Sequence, residues 1–349
     1  MCKKVFRTSA LLFAMLCLFA TTIFAQSYAS SYAYLCPTID GKCDARYWKD
    51  ALSIDFPYGK LMLKNNYHYL YILIDVTEDT YEDQIIKKPM CEDYFELYFD
   101  WDGNGKLTNN IDRVYSMCNM SKRLVYRYLI KKDAYSSVYF SAGTAMAGFG
   151  SSPNEAKAHR YYELRIPLSE VKMDRMQSLH LAFRIYSKNP AIDYQSSSDL
   201  SGDMSDYINI KLAFPPRQIN LDYTVGSRKM LANQLEFEMD VAPYIFQKRT
   251  FLPIRYVVEP FGGFFEWNST SQQLVIFIQS KIVTMTINSP VAYINGKEIM
   301  VDSGNKAITP QWKPPGRVMV PLRFVAETIG CEVFWDARTQ KTTVRFNRD

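Results

Sequence analysis

A chain of 349 residues is long enough for two domains with cores of their own. Its 41 basic and 36 acidic residues are dispersed, and three of the basic ones lie in the first seven positions, leaving 38 against 36. So even a balance excludes a nucleic-acid footprint. Past the first 25 residues no apolar run is long enough to span a bilayer as a helix.

The first element is a leader. Lys3, Lys4 and Arg7 precede an apolar stretch from Ala10 to Ala20, and small residues follow up to Ala25 and Ala29. This is the pattern of a secretory signal peptide over residues 1–25, so the mature chain is expected outside the cell, secreted or held at a bacterial surface. Leu16 before Cys17 argues against a lipid anchor. Five cysteines follow the leader, and an exported chain tolerates disulfides. Cys36 with Cys43 would close a short loop and Cys91 with Cys118 would clamp the segment between two strands, with Cys331 left over; the spacing leaves the connectivity open.

From about residue 34 to 212 the chain reads strand after strand. Leu63–Asp75 alternates Leu70, Ile72 and Ile74 with Tyr67, Tyr69 and Tyr71. Asp93–Asp100 sends Phe95, Leu97 and Phe99 inward and Tyr94, Glu96 and Tyr98 outward; Tyr161–Leu168 and Leu179–Tyr186 repeat the pattern. Period-two alternation predicts half-buried antiparallel strands, and a series of them predicts a β-sandwich. Pro215 and Pro216 lack amide donors and mark a linker over residues 213–218.

Within the sandwich, Asp100-Trp101-Asp102-Gly103-Asn104-Gly105-Lys106, with Asp112 beyond, alternates oxygen donors around glycines. A hard cation is wrapped in this way, so Asp100, Asp102, Asn104, the Lys106 carbonyl and Asp112 form a candidate structural Ca²⁺ loop. Position twelve is Ile111, which departs from the EF-hand pattern; the bland reading is a plain turn between strands. A sugar site needs aromatic faces and a few planar polar groups. The candidates are Trp48, Glu96, Tyr98, Trp101, Glu163, Arg165 and Arg184. With 25 tyrosines in the chain, some exposed rings are expected from packing alone.

From residue 219 onward the chain repeats itself. Thr250–Asn268 returns as Val318–Asp336, with Pro253, Arg255, Glu259, Gly262 and Trp267 recurring 68 residues later as Pro321, Arg323, Glu327, Gly330 and Trp335. Thr224–Gln234 returns 62 residues later as Thr286–Gly296, so a six-residue loop is inserted in the second copy. Each copy, about 219–278 and 281–346, predicts strand, turn, strand, loop, short helix and hairpin. The prolines suit a first helical turn and the glycines a C-cap. Arg255–Glu259 and Arg323–Glu327 are one turn apart, and their recurrence favours packing over catalysis. Pro260 predicts that the first helix stops early.

On these residues the second copy, Pro321–Phe346, resembles the copper amine oxidase N-terminal-like "stalk" domain, and the resemblance extends over about 219–346. It implies an exported Gram-positive protein with a non-catalytic surface or interaction module. The three histidines, His68, His159 and His180, all lie in the sandwich region, so copper chemistry is not implied. Pro37–Ala51, Cys91–Gly105 and Tyr161–Val171 resemble the family 9 carbohydrate-binding-module-like β-sandwich. The combined expectation is a mainly β protein: an antiparallel sandwich followed by a duplicated α+β module. It would bind a polysaccharide or cell-wall glycan without catalysis, with cell-surface proteins as further partners. The alternatives are a structural envelope protein and, behind it, a glycan-acting enzyme.

Overall fold

The computed structural model describes residues 27–82, 93–119, 123–171 and 178–348. The leader and Cys91 lie outside them. The protein is mainly β, with helices of only a few residues. Among the described residues the N-terminal part forms two facing sheets. The nine-stranded sheet has Asp93–Asp100 at its centre, between Ser178–Ser187 and Arg113–Cys118, and continues through Val125–Lys131 to Tyr139–Phe140. The six-stranded sheet centres on Tyr69–Val76, between Gly59–Asn65 and His159–Pro167. Leu63, Leu70, Ile72 and Ile74 from one sheet meet Phe95, Leu97, Phe99, Leu181 and Phe183 from the other in one buried core. The inward half of each alternating strand is therefore where its pattern places it.

Secondary structure lapses over residues 212–217 and resumes with Gln218–Thr224. The duplicated part is built around a pseudo-two-fold axis. Its central sheet pairs Arg249–Pro253 with Arg317–Pro321 antiparallel, and Leu252 stands opposite Val320, its own repeat-mate. The flanking five-stranded sheets are exchanged between copies. The hairpin Phe264–Asn268/Gln273–Ile278 of the first copy extends the opening strands Lys281–Thr286, Val291–Ile294 and Lys297–Met300 of the second. The hairpin Glu332–Asp336/Lys341–Asn347 returns the exchange onto Gln218–Thr224. Neither copy buries its apolar strands without the other. Two ion pairs cross in the same sense: Arg249 to Asp302 at 2.7 Å, and its mate Arg317 to Asp240.

The first helix is Arg255–Val258, followed by a 3₁₀ turn over Glu259–Phe261; the second runs uninterrupted over Leu322–Thr328. Pro260 has no amide to give and crowds the preceding turn, so the first helix stops early. Pro253 and Pro321 end strands just before the helices and do not occupy the first helical turn. The 3₁₀ turn after the first helix and the second helix itself both run out into glycines with left-handed backbone, Gly262 at φ +79° and Gly330 at +91°.

The sandwich and the module share a core. Tyr32, Tyr34, Trp48, Met62, Tyr71, Leu73 and Tyr161 pack in one buried cluster with Tyr223, Phe237, Tyr256 and Phe261. The outward half of the six-stranded sheet is thus buried, against the expectation of a solvated face. The entry segment 34–48 lies between that sheet and the first repeat. Cys36 N–H donates to Glu259 Oε2 at 2.8 Å, Arg255 donates to Thr38 at 3.1 Å and to the Tyr47 hydroxyl, and Glu259 pairs with Arg255 at 3.1 Å. The Tyr34 ring sits 6.0 Å from that of Phe237. A Cβ on Gly262 would meet the Tyr67 ring at 2.4 Å, so glycine here also lets the two parts approach.

Cys36 and Cys43, which a disulfide could have joined, are free thiols. Burial, then the Glu259 carboxylate, pushes the Cys36 thiol up to about 12. Cys118 is disulfide-bonded. Cys331 is free and buried, its thiol pushed up to about 12 by burial.

Candidate functional site

The seven sugar-binding candidates do not converge. Trp48 closes the four-residue helix Ala45–Trp48, is buried completely, and donates its indole N–H to Glu163 Oε1 at 3.1 Å. Glu163 is buried too and accepts the Gly41 N–H at 3.0 Å. Both faces of the indole are enclosed by protein, so this pair ties the entry segment to the sheet and offers no surface to a ligand. Burial raises the Glu163 carboxyl above its ordinary range even though the Trp48 and Gly41 donors pull it down. Arg165 lies on the same six-stranded sheet, its guanidinium 4.8 Å from the Tyr69 ring centre and its Nη2 donating to Thr144. Trp101 packs against the sandwich core beneath the Arg113 guanidinium, 3.8 Å from its ring centre.

The remaining three share the outer face of the nine-stranded sheet. Strand register places Gln195, Arg184, Glu96, Ser116, Val125 and Phe140 side by side in one transverse row. At the spacing of adjacent strands this row is about 24 Å long. The next row on one side holds Tyr186 opposite Tyr94, their rings stacked at 5.1 Å and 17°. On the other side Tyr98 stands in line with Ala182 and Val114, buried beneath Tyr135 and Tyr207. Tyr98 therefore presents no ring face, but its hydroxyl donates to Glu96 Oε2 at 2.9 Å and holds that carboxylate toward its own row. Arg184 is fixed by a two-pronged bond to Asp193, 2.9 Å from Nε and 2.9 Å from Nη2. Phe140, at 67% exposure, ends the row. The arrangement is a shallow polar floor with a tyrosine wall and one exposed ring, which has the Arg123 guanidinium 5.2 Å from its centre. Sequence parity found Glu96, Arg184, Tyr94 and Tyr186; Phe140, Asp193 and Gln195 sit on short edge strands whose register the sequence does not specify.

The acidic loop closes as a compact cluster. Ligand atoms of Asp100, Asp102 and Asp112 lie within 4.8 Å of one another. Asp100 accepts the N–H groups of Gly103 at 2.9 Å and Gly105 at 2.8 Å. Asp112 accepts those of Trp101 at 2.8 Å and Thr108 at 2.5 Å. Asn104 bridges Asp102 and Thr108 through its amide, while its oxygen accepts the Lys106 N–H at 2.7 Å. Burial, then the Asp100 and Asp102 carboxylates, outweighs the two N–H donors and pushes the Asp112 carboxyl up to about 6. Three carboxylates this close have the chemistry of a hard-cation site, but the Asn104 amide turns its NH₂ to Asp102 and its oxygen to the Lys106 N–H, so Asn104 does not present its oxygen to the cluster as expected. Thr108, absent from the expected set, donates its hydroxyl to Asp102 at 2.9 Å.

Residues 230–344 match the copper amine oxidase N-terminal domain. The matched stretch opens within Lys229–Ala232 and closes within Lys341–Asn347, so it takes in nearly all of the duplicated module. Two similar solved structures are family 9 carbohydrate-binding modules from Caldicellulosiruptor kristjanssonii, one in complex with glucose and one with cellotriose. Each is 17% identical, with a TM-score of 0.36, over 54% of this chain and 96% or 93% of that one. No curated protein matches. Among the described residues no helix is long and apolar enough to cross a membrane.

Proposed function

We propose that this chain is an exported, non-catalytic carbohydrate-binding protein whose sandwich takes an extended glycan along the transverse row. The row itself carries the reading: Glu96 and Arg184, both held in place by neighbours, beside the Tyr94–Tyr186 wall and the exposed Phe140 ring. Planar charged groups of fixed direction suit sugar hydroxyls, and ring faces suit the apolar side of a pyranose. A floor about 24 Å long suits an oligosaccharide better than a single sugar. Asp100, Asp102 and Asp112 would hold a structural Ca²⁺ at the end of Asp93–Asp100, the strand that carries Glu96, with the Asn104 amide turning over to offer its oxygen. The duplicated module is the attachment or interaction part. The buried junction through Glu259 fixes the sandwich on it, so that both present themselves as one body.

The test is a set of surface variants in the full chain, titrated with a cello-oligosaccharide and with xylan and cell-wall fragments. Arg184→Ala and Tyr94→Ala each weaken a glycan bound by the parent protein at least tenfold, with the thermal unfolding midpoint little changed. A bound glycan indifferent to both variants would move the site elsewhere. Turnover of a glycan that is lost in Glu96→Gln would replace binding by catalysis.

A further inference from the structure

The two repeats present the same face twice, and only one is covered. In the first copy the face is built from Pro253, Ile254, Arg255, Tyr256, Phe265 and Trp267, and the entry segment lies in it through Thr38, Asp40 and Tyr47, leaving a cleft of about 460 Å³. In the second copy the six mates, Pro321, Leu322, Arg323, Phe324, Val333 and Trp335, line an open groove of about 1200 Å³. Exposure follows the difference. Phe237, under Tyr34 and Lys49, is 0% exposed, whereas its mate Ile299 is 43% exposed. The Glu259 side chain is 7% exposed and its mate Glu327 is 53% exposed. Around Gly262 the Tyr67 ring closes in, but around Gly330 nothing lies within 4 Å.

We infer that the groove of the second repeat, centred on Arg323, Glu327 and Ile299, is a docking site for an extended segment of a partner protein. The covered copy supplies the chemistry of the occupant. A main-chain N–H meets the glutamate, as Cys36 meets Glu259, and a tyrosine hydroxyl meets the arginine, as Tyr47 meets Arg255. An aromatic ring covers the apolar patch, as Tyr34 covers Phe237. One difference selects the segment. Lys248 lines the second groove where the first cleft has Gly316, and Lys42 of the entry segment is among the residues lining that first cleft. The added cation in the second groove favours an occupant that carries a carboxylate where the entry segment carries Lys42. The inference gives the interaction role proposed for the module a defined place, and it stands whether or not the sandwich binds sugar.

The probes are two synthetic peptides with the sequence of residues 34–48, cysteines replaced by serine, one of them also carrying Lys42→Glu. They are titrated into the full chain, with binding read from tryptophan fluorescence. Saturable binding is expected, tighter for the glutamate peptide, and weakened at least tenfold by Arg323→Ala and by Glu327→Ala. Both side chains are half exposed, so neither variant should disturb folding. Glu96→Ala on the sandwich leaves peptide binding unchanged, which separates this site from the glycan row. No binding at millimolar peptide, or binding unaffected by both groove variants, overturns the inference. A glycan whose binding is lost in Arg323→Ala also overturns it, in favour of sugar. A dimer in sedimentation that Glu327→Ala dissociates overturns the partner assignment in favour of a second copy.

Discussion

Glu259 and Glu327 occupy the same position in two copies of one unit, which makes them an internal control for what burial does to an ion pair. Replacing Glu259 by alanine leaves the Arg255 guanidinium in the junction without its partner at 3.1 Å and leaves the Cys36 N–H without its acceptor at 2.8 Å. Breaking a buried pair costs about 3–5 kcal/mol, and an unpaired buried N–H about 1–3 kcal/mol, and the two overlap. Arg255 keeps its bonds to Thr38 and Tyr47, and its side chain is 28% exposed, so the low end applies, about 3 kcal/mol. Burial raises the Glu259 carboxyl above its ordinary range, against the pull of Arg255, which limits the loss in the same direction. In the second copy Arg323 and Glu327 are both half exposed at 3.2 Å, and a surface i,i+4 pair contributes about 0.3–0.5 kcal/mol. Urea unfolding of the full chain at pH 7 is the assay, with a protease reporting whether the sandwich and module separate before either unfolds. Glu259→Ala should lower the midpoint clearly and expose the linker to cleavage; Glu327→Ala should do neither. Equal effects of the two substitutions would refute the buried junction.

Three further outcomes follow from named contacts. His159 is fully buried with Nε2 2.7 Å from Asp75. Burial disfavours the charged ring, but Asp75 and the Lys157 carbonyl outweigh it and raise its pKa. The stability it contributes is complete below the unfolded value near 6.5 and is lost as pH rises through the folded one, so unfolding free energy measured across that window should fall in the parent but not in His159→Gln. Gly330→Ala should cost about 1 kcal/mol for its left-handed backbone alone, while Gly262→Ala costs more because of the Tyr67 ring, as thermal melts will show. Added Ca²⁺ should raise the unfolding midpoint of the parent protein and EDTA reverse it, with no response in Asp112→Asn; a parent indifferent to both would remove the ion from the loop.

What the sequence made legible was whatever depends on local period. The inward residues Ile72, Ile74, Phe95, Leu97, Leu181 and Phe183 lie in the sandwich core as their alternation implies. The early stop at Pro260 and the left-handed glycines also followed from residue type. The outward residues were a different matter, because parity says which side a residue faces but not what covers that side. Tyr71, Tyr161 and Glu163 read as solvated and are buried, since the module and the entry segment lie on that sheet. For the same reason Trp48 read as a ring for a ligand and is a packing residue. The exchange of hairpins between repeats left no local trace: strand, helix and hairpin look alike whichever copy they pair with. Nor does spacing alone bring Cys36 and Cys43 together, since the turn between them sends Cys36 toward Glu259 and Asn66.

The most direct test of the account is calorimetric titration of the full mature chain with soluble cellulose-, xylan- and cell-wall-derived oligosaccharides. Binding that rises in affinity with oligosaccharide length and is lost in Arg184→Ala is the result the transverse row predicts. No heat with any glycan, from a chain whose melting transition is intact, would contradict the account and leave the protein as a scaffold of protein contacts.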